Sequence, residues 1–549
     1  MKKRTYILAG VALTALSLGA QAQTQPNDTT LARTVVVEQE YNPDIMDAAK
    51  VNVLPKVEPP TAGKRDVEYD ATLMPATHIP AGILQAYPGV EVQPKAQPGY
   101  ARLGYGNYGN LDVRANYLFT PSPNDRLNLT FALDGMDGKL KLPYNEKKWN
   151  SYFFRTKANM DYLHTFKNVN LNVAGNFGLS NFNFMPGFVN SKQKFTSGDF
   201  HVGVNSTNKE MPFLFNVETN LMFYERQRHP LFEESNKETI IRTKADVAGH
   251  INDEQLIGLG IAMDNVVYND YTTDENYAFE NHTDIALNPY YHYQNDNWDI
   301  RLGAHADLAF GFGKKFRAAP DVTATYTFAD SYRLYVQAKG GKLPNDFRRL
   351  EVLNPYGQIA NQQDATYEQV NAAIGFKASP VTGLWFHLYG GYQNLKNDLV
   401  FDTGLWVPIV FLSEACGNTN NVYAGAELSY NYKDIVSFSA SGIYRNWDSH
   451  ENKTIMLAFK PSLEADFHMD LRPIPAVTVG IGYRHIARQE VEGNKADPVS
   501  NLYLSGSYEL FKGIAVYARA NNLLNKNYQY YRGCPAEGIN FLGGVSFKF

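Results

Sequence analysis

The side chains able to do chemistry in this sequence are scattered, not gathered. No H-E-x-x-H, no G-x-S-x-G and no phosphate-cradling P-loop occurs. His292, His305 and His387 each stand among alternating apolar neighbours. They read as polar residues on the wet face of a strand, with proton transfer as the other reading. Asp134-Gly135-Met136-Asp137-Gly138 has the look of a calcium loop but lacks the third acidic ligand and the distal Glu, so it reads as a turn. The stretch from Asn269 to Asn281 sets Asp270, Asp274, Glu275 and Glu280 beside Tyr271 and Tyr277. Such a group could take up a cation or a polar ligand, or simply be a solvated loop. Cys416 and Cys534 are the only two cysteines. Both fall in long linkers of the same parity, so a disulfide and two separate thiols are both open, a bond needing Cα atoms within ~7 Å. Neither an enzyme nor a resident cofactor or metal is expected.

The elements that must position these residues are strands. Hydrophobic residues make up 44% of the chain and aromatics 13%, with 36 Tyr, 32 Phe and 42 Gly. Past the N-terminus no run approaches the ~20 apolar residues of a spanning helix. A polar average with abundant Tyr, Phe and Gly suits membrane strands with aromatic girdles. The net charge of -5 gives no broad electrostatic case for nucleic acid.

From Tyr100 onward, strand-length segments alternate apolar and polar residues with period two. Val169, Leu171, Val173 and Phe177 interleave with Asn170, Asn172, Ala174 and Asn176. Ile300, Leu302, Ala304, Ala306 and Leu308 interleave with Arg301, Gly303, His305 and Asp307. Arg155, Lys157 and Asp161, and likewise Arg242, Lys244 and Asp246, hold polar positions that a barrel would turn to a wet lumen. A soluble sandwich also alternates, but its linkers have no reason to sort by parity. Here they do. Phe119 to Arg126, His164 to Asn168, His250 to Glu254, Gln294 to Asn297, Ser379 to Gly383, Tyr432 to Ile435 and Glu509 to Gly513 are tight. Gly135 to Trp149, Asn181 to Phe195, Tyr268 to His282, Gly340 to Tyr367, Asn394 to Asn421 and Asn522 to Gly538 are long. This predicts an all-β, up-and-down antiparallel transmembrane barrel of about 22 strands in a cell outer membrane, with short periplasmic turns and long outer loops. Tyr291, Tyr293 and Trp298, and also Tyr528, Tyr530 and Tyr531, read as girdle residues.

Three segments follow. Residues 1–22 read as a signal peptide: Lys2, Lys3 and Arg4, the apolar Ile7 to Leu18, then Ala20-Gln21-Ala22 with cleavage after Ala22. Residues 23–98 are crowded with prolines, among them Pro43, Pro55, Pro59, Pro60, Pro75, Pro80 and Pro88. That density resists helix and central strand and reads as a short extended segment, periplasmic or lumenal. Residues 99–549 are the barrel, ending in Val545, Phe547 and Phe549 at alternate positions. A last aromatic on such a strand resembles the signal read by the barrel-insertion machinery; outer-membrane lipid is the other expected partner.

The segment from Ala518 to Tyr528 resembles the penultimate strand and loop of TonB-dependent receptors, and Gly543 to Phe549 is similar to their last strand. The Pro-rich stretch from Val35 to Pro60 resembles outer-membrane proteins of this group from Bacteroidota. The resemblance implies a barrel of about 22 strands. It also implies uptake of a nutrient ligand (a metal chelate, a glycan or a peptide) and TonB or a surface lipoprotein as partner. Thr34-Val35-Val36-Val37 is similar to a TonB box, which pairs with a sheet edge of the energising protein, although four such residues read first as an ordinary extended segment that packs in or under the barrel. Those receptors carry a plug domain larger than residues 23–98. A second expectation follows: a non-transporting structural or assembly subunit of an outer-membrane complex.

Overall fold

The computed structural model describes residues 97–142, 147–185, 192–208, 210–228, 235–269, 279–329, 331–357, 361–401, 414–451, 453–493, 495–531 and 533–549. Ala20, Ala22, Thr34, Val35, Val36, Val37, Asp270, Tyr271, Asp274, Glu275 and Tyr277 lie outside these residues.

Alternation dictates the architecture. The first strands are Gly99–Gly106 (β1), Leu111–Ser122 (β2), Asp125–Lys141 (β3), Lys148–Thr165 (β4), Val169–Asn183 (β5), Lys192–Ser206 (β6), Phe213–Arg226 (β7) and Asn236–Asn252 (β8). Next come Gln255–Asn269 (β9), His282–Gln294 (β10), Trp298–Phe310 (β11), Phe316–Phe328 (β12), Tyr332–Leu343 (β13), Thr366–Val381 (β14) and Leu384–Phe401 (β15). The last are Glu414–Tyr432 (β16), Val436–Ser449 (β17), Pro461–Ile474 (β18), Val477–Arg488 (β19), Val499–Phe511 (β20), Ile514–Asn521 (β21) and Asn540–Lys548 (β22). Each pairs antiparallel with its sequence neighbours in one 22-stranded sheet. The ring closes where β1 pairs with β22, Leu103 opposite Val545. Gly99 and Phe549 seal it, each N–H donating to the other's carbonyl at 2.8 and 3.0 Å. Closure pairs the first strand with the last, so the sheet has no terminal edge strand.

One set of alternate side chains points outward. On β9, Ile257, Leu259 and Ile261 are exposed, as are Leu302 on β11, Val336 on β13, Ile374 on β14 and Leu388 on β15. The other set is polar and turned inward: Arg242 pairs with Asp264, and Lys244 with Glu218, while Asp246 accepts from Tyr290. Apolar outside and polar inside is the inverse of a soluble sandwich and the signature of a transmembrane barrel. Trp298 and Tyr326, with ring centroids 4.7 Å apart and planes tilted by 41° near a tight turn, belong to an interfacial girdle.

The parity of the linkers holds. Two of the tight turns end on glycine, Gly383 at φ +84° and Gly513 at φ +82°, where a side chain would be strained. The strands at the other end are longer than the sequence suggested. β3 runs unbroken through Asp134, Gly135, Met136, Asp137 and Gly138 in register with β4, so that stretch is strand and neither a turn nor a calcium loop. The β15–β16 ladder likewise continues up to Phe401 and Glu414 and takes in Cys416 opposite Leu399.

Candidate functional site

Around the lumen wall, charged groups are held in pairs. Asp112 receives Arg102 at 2.7 Å and Arg114 at 3.3 Å. Arg242 forks onto both oxygens of Asp264 at 2.8 and 3.0 Å. Arg301 donates to Asp321 and Asn288, both at 2.8 Å, with its guanidinium 3.6 Å above the Tyr290 ring. Such forked, charge-assisted contacts fix side-chain direction as well as adding energy.

Tyrosines lie flat against this wall because glycines make room for them. A Cβ on Gly258 would fall 2.3 Å from Tyr290; one on Gly375, 2.4 Å from Tyr335; one on Gly482, 2.1 Å from Tyr503. Ring against bare backbone keeps the lumen wide and presents the hydroxyl to it. Tyr335 OH meets His387 Nε2 at 2.9 Å, and His387 stacks on Tyr389 at 4.6 Å. His305 lies 3.2 Å from Asn288, and His292 2.9 Å from Asp299. The three histidines therefore line the lumen side, each spent on a wall contact. No group of three or more His, Cys, Asp or Glu suited to a metal occurs among the described residues.

Above the wall sits a roof that the sequence did not reveal. The β13–β14 connection turns inward and forms the helix Phe347–Leu353 (α1). Asp346 caps it, accepting from Arg349 N–H at 2.9 Å. Phe347 and Leu350 are buried against Phe182, Phe184, Phe195, Tyr224, Phe279 and Leu399. Polar latches surround this seat. Arg348 forks onto Asp199 and also donates to the Phe223 carbonyl at 3.2 Å. Glu351 accepts from Ser180 at 2.7 Å and from Tyr224 OH. Arg226 donates to the Gly357 carbonyl at 2.9 Å. Close to β14 the loop is held from the neighbouring β12, by Arg317 on Asp364 at 2.5 Å. The connection thus crosses from β13 to the far wall formed by β5–β8. Asp-Phe-Arg-Arg after Pro344-Asn345 carried a cap signal, but nothing local foretold where the helix would dock.

The β21–β22 connection also folds inward. Tyr528 is buried with Ile486 and Val499, and Tyr530 packs beside it. Tyr531 meets Tyr356 edge-on at 6.1 Å. These three tyrosines are loop core and not girdle, because Arg488 pulls the segment in by donating to the Gln529 and Tyr530 carbonyls at 3.3 and 3.1 Å. Cys534 is buried in the same loop, and burial pushes its thiol pKa upward. Cys416 Sγ contacts Gln363 Oε1 at 3.1 Å and packs against the roof cluster. Both cysteines are reduced thiols and no disulfide joins them. Cys416 is fixed on a strand, not on a loop free to reach its counterpart.

Glu537 gives this loop a pH dependence. Burial pushes its carboxyl up to about 7, against a bond from Asn110 Nδ2 at 2.7 Å that favours the ion. The folded loop thus holds a proton that the undocked loop gives up near its ordinary 4.5. Docking is firmest below that value, weakens as pH rises to about 7, and is flat beyond, a span worth roughly 3 kcal/mol at most. Amide exchange over residues 522–539, corrected for intrinsic rate, is expected to be slower at pH 5 than at pH 8. Glu537→Gln is expected to remove that difference.

No family model matches the sequence, and no curated protein matches it. Solved structures do match by shape. The FrpB iron transporter from Neisseria meningitidis is 11% identical with TM-score 0.64, over 83% of this chain and 82% of that one. The ferric enterobactin receptor from Pseudomonas aeruginosa, in complex with enterobactin, is 12% identical with TM-score 0.62, over 83% and 82%. The pyoverdine outer membrane receptor from Pseudomonas aeruginosa is 13% identical with TM-score 0.59, over 83% and 79%. At such identities the likeness is one of fold.

Proposed function

We propose that this chain is a TonB-dependent-receptor-like barrel of the outer membrane, of Bacteroidota type, that takes up a nutrient ligand through its lumen. The observation that carries this reading is the pairing of a wide, polar, 22-stranded lumen with loops folded inward over its mouth. A passive anchor needs neither. Barrels of the same shape belong to an iron transporter and to receptors for enterobactin and pyoverdine, which favours a metal chelate over a glycan or peptide. In this reading residues 1–22 are removed after Ala22, Thr34 to Val37 engage TonB, and residues 23–98 close the lumen from below in place of a full plug. Val545, Phe547 and Phe549 present the insertion signal. Deleting residues 31–40 is expected to abolish energised uptake while leaving barrel and partners intact. The second reading, a structural subunit, is favoured by the shortness of residues 23–98. It predicts the opposite: loss of a co-purifying protein and no change in uptake.

A further inference from the structure

The barrel wall has a notch at its long-loop end. The β12–β13 ladder stops at Asp321 opposite Lys339, although β12 begins at Phe316 and β13 continues to Leu343. Among the described strands, this is the neighbouring pair in which both run on well past their last partners. Pro320, just above, has no N–H to give. At Gly340-Gly341 β13 parts from β12 while keeping its pairing with β14 as far as Leu343 opposite Thr366. A Cβ on Gly340 would fall 2.4 Å from the Glu368 carbonyl and 2.8 Å from Ala319 Cβ, and Gly341 has φ +141°. Lys342 then pairs with Asp284 of β10, so the end of β13 passes along the lumenal face of its neighbours. Register shifts fall at the same height in β13, β14 and β15.

Where β13 parts from β12, a depression of about 710 Å³ opens, with Lys314, Phe316, Arg317, Asp364, Lys396 and Glu451 among its lining. Its lower rim is apolar: Phe316 is 55% exposed and lies on the outward row of β12. Its charged lining is mixed with a net excess of one positive charge, Lys314, Arg317 and Lys396 against Asp364 and Glu451. Arg317 is taken by Asp364 at 2.5 Å, and Glu451 accepts from Asn418 at 2.7 Å. Lys314 and Lys396 have no carboxylate partner among the described residues. Two uncommitted ammonium groups above an apolar rim, at the edge of the outward apolar surface, match a molecule with an anionic head and acyl chains.

We propose that this notch binds the phosphorylated head of an outer-leaflet lipid, its phosphate between Lys314 and Lys396 and its first acyl carbons against Phe316. The inference rests on the outward orientation of the long loops but not on transport. The full chain, purified in a nonionic detergent, is to be titrated with dioctanoyl phosphatidic acid and followed by native mass spectrometry. The native chain is expected to hold one such lipid. The Lys314→Glu, Lys396→Glu double variant is expected to bind it about 30-fold more weakly. The corresponding double glutamine variant should fall between, and the double arginine variant should bind like the native chain. Heat-dependent gel mobility shows that each barrel is folded. Unchanged binding by the charge-reversed variant overturns the proposal. So does equal binding of an uncharged dioctanoyl glycolipid, and so does inorganic phosphate binding as tightly as the lipid, which would make the notch a site for a free anion.

Discussion

Replacing Arg348 by glutamate will let a membrane-impermeant maleimide reach Cys534 at least about tenfold faster than in the native chain. Arg348 is the strongest polar latch of α1, forked on Asp199 and sharing a β7 carbonyl. The pair is only partly buried, with side chains 24% and 20% exposed, so its loss sits at the lower end of the range for a forked ion pair, about 2 kcal/mol. Reversal adds repulsion between two carboxylates. Opening of the roof then becomes more frequent by roughly ten- to a hundredfold, since each 1.4 kcal/mol is a factor of about ten. The buried Cys534 reports this directly, with the half-buried Cys416, which borders the outer depression, as the internal reference. Cys416 packs against the roof's apolar seat, and Cys534 lies buried close to Tyr356. The charge-swapped pair, Asp199→Arg with Arg348→Glu, should return labelling close to the native rate. Unchanged labelling in Arg348→Glu alone would mean that Phe347 and Leu350 hold the roof without the latch.

The second large effect lies at the closing seam. Asp112→Ala is expected to destabilise the barrel by about 3–5 kcal/mol, the usual cost of stranding one half of a buried ion pair. Asp112 takes Arg102 from β1 and Arg114 from its own strand, and Tyr517 of β21 reaches it at 3.4 Å. The Arg102 side chain is only 3% exposed, so water is a poor substitute for the lost carboxylate. The check is the urea midpoint of gel-shifted, folded barrel. Asp112→Asn should lose less, because it keeps a hydrogen-bond acceptor. The double change Arg102→Met, Asp112→Leu should recover much of the loss by removing both charges. A midpoint unmoved by Asp112→Ala would mean that the two arginines are held by other groups.

What could be read in the sequence follows from where the lipid is. Within the belt one face must be apolar, so Ile257, Leu259 and Ile261 alternate visibly and the strands are legible. Above the belt both faces are wet and the period fades. Asp134 to Gly138 and Asn394 to Phe401 therefore looked like loop, although cross-strand pairing alone carries them onward. The site was less legible than the fold. Its histidines and wall arginines were visible as the polar half of the alternation. The roof was not, because its latches join residues far apart in the chain: Arg348 and Asp199 are separated by 149 positions. The inward turn of Tyr528, Tyr530 and Tyr531 depends in the same way on Arg488, and the notch depends on where Gly340 and Gly341 part β13 from β12.

The mutual hydrogen bonds of Gly99 and Phe549 have a consequence for the architecture as a whole. The two ends of the barrel segment lie side by side at the short-turn end, so the ring itself has no first strand. Joining them and cutting the chain at another tight turn, such as the one between Asn252 and Gln255, would preserve every strand-to-strand neighbour. Circular permutants of the barrel segment should thus share one finished form. They would differ in which strand is made last and so in which pair closes the ring. The native order assigns that closure to β1 and β22, across a gap typified by Asn107 and Ile539, 432 positions apart. Strand order along the chain is then a record of how the cylinder is assembled, written into a shape that, once closed, no longer distinguishes a beginning.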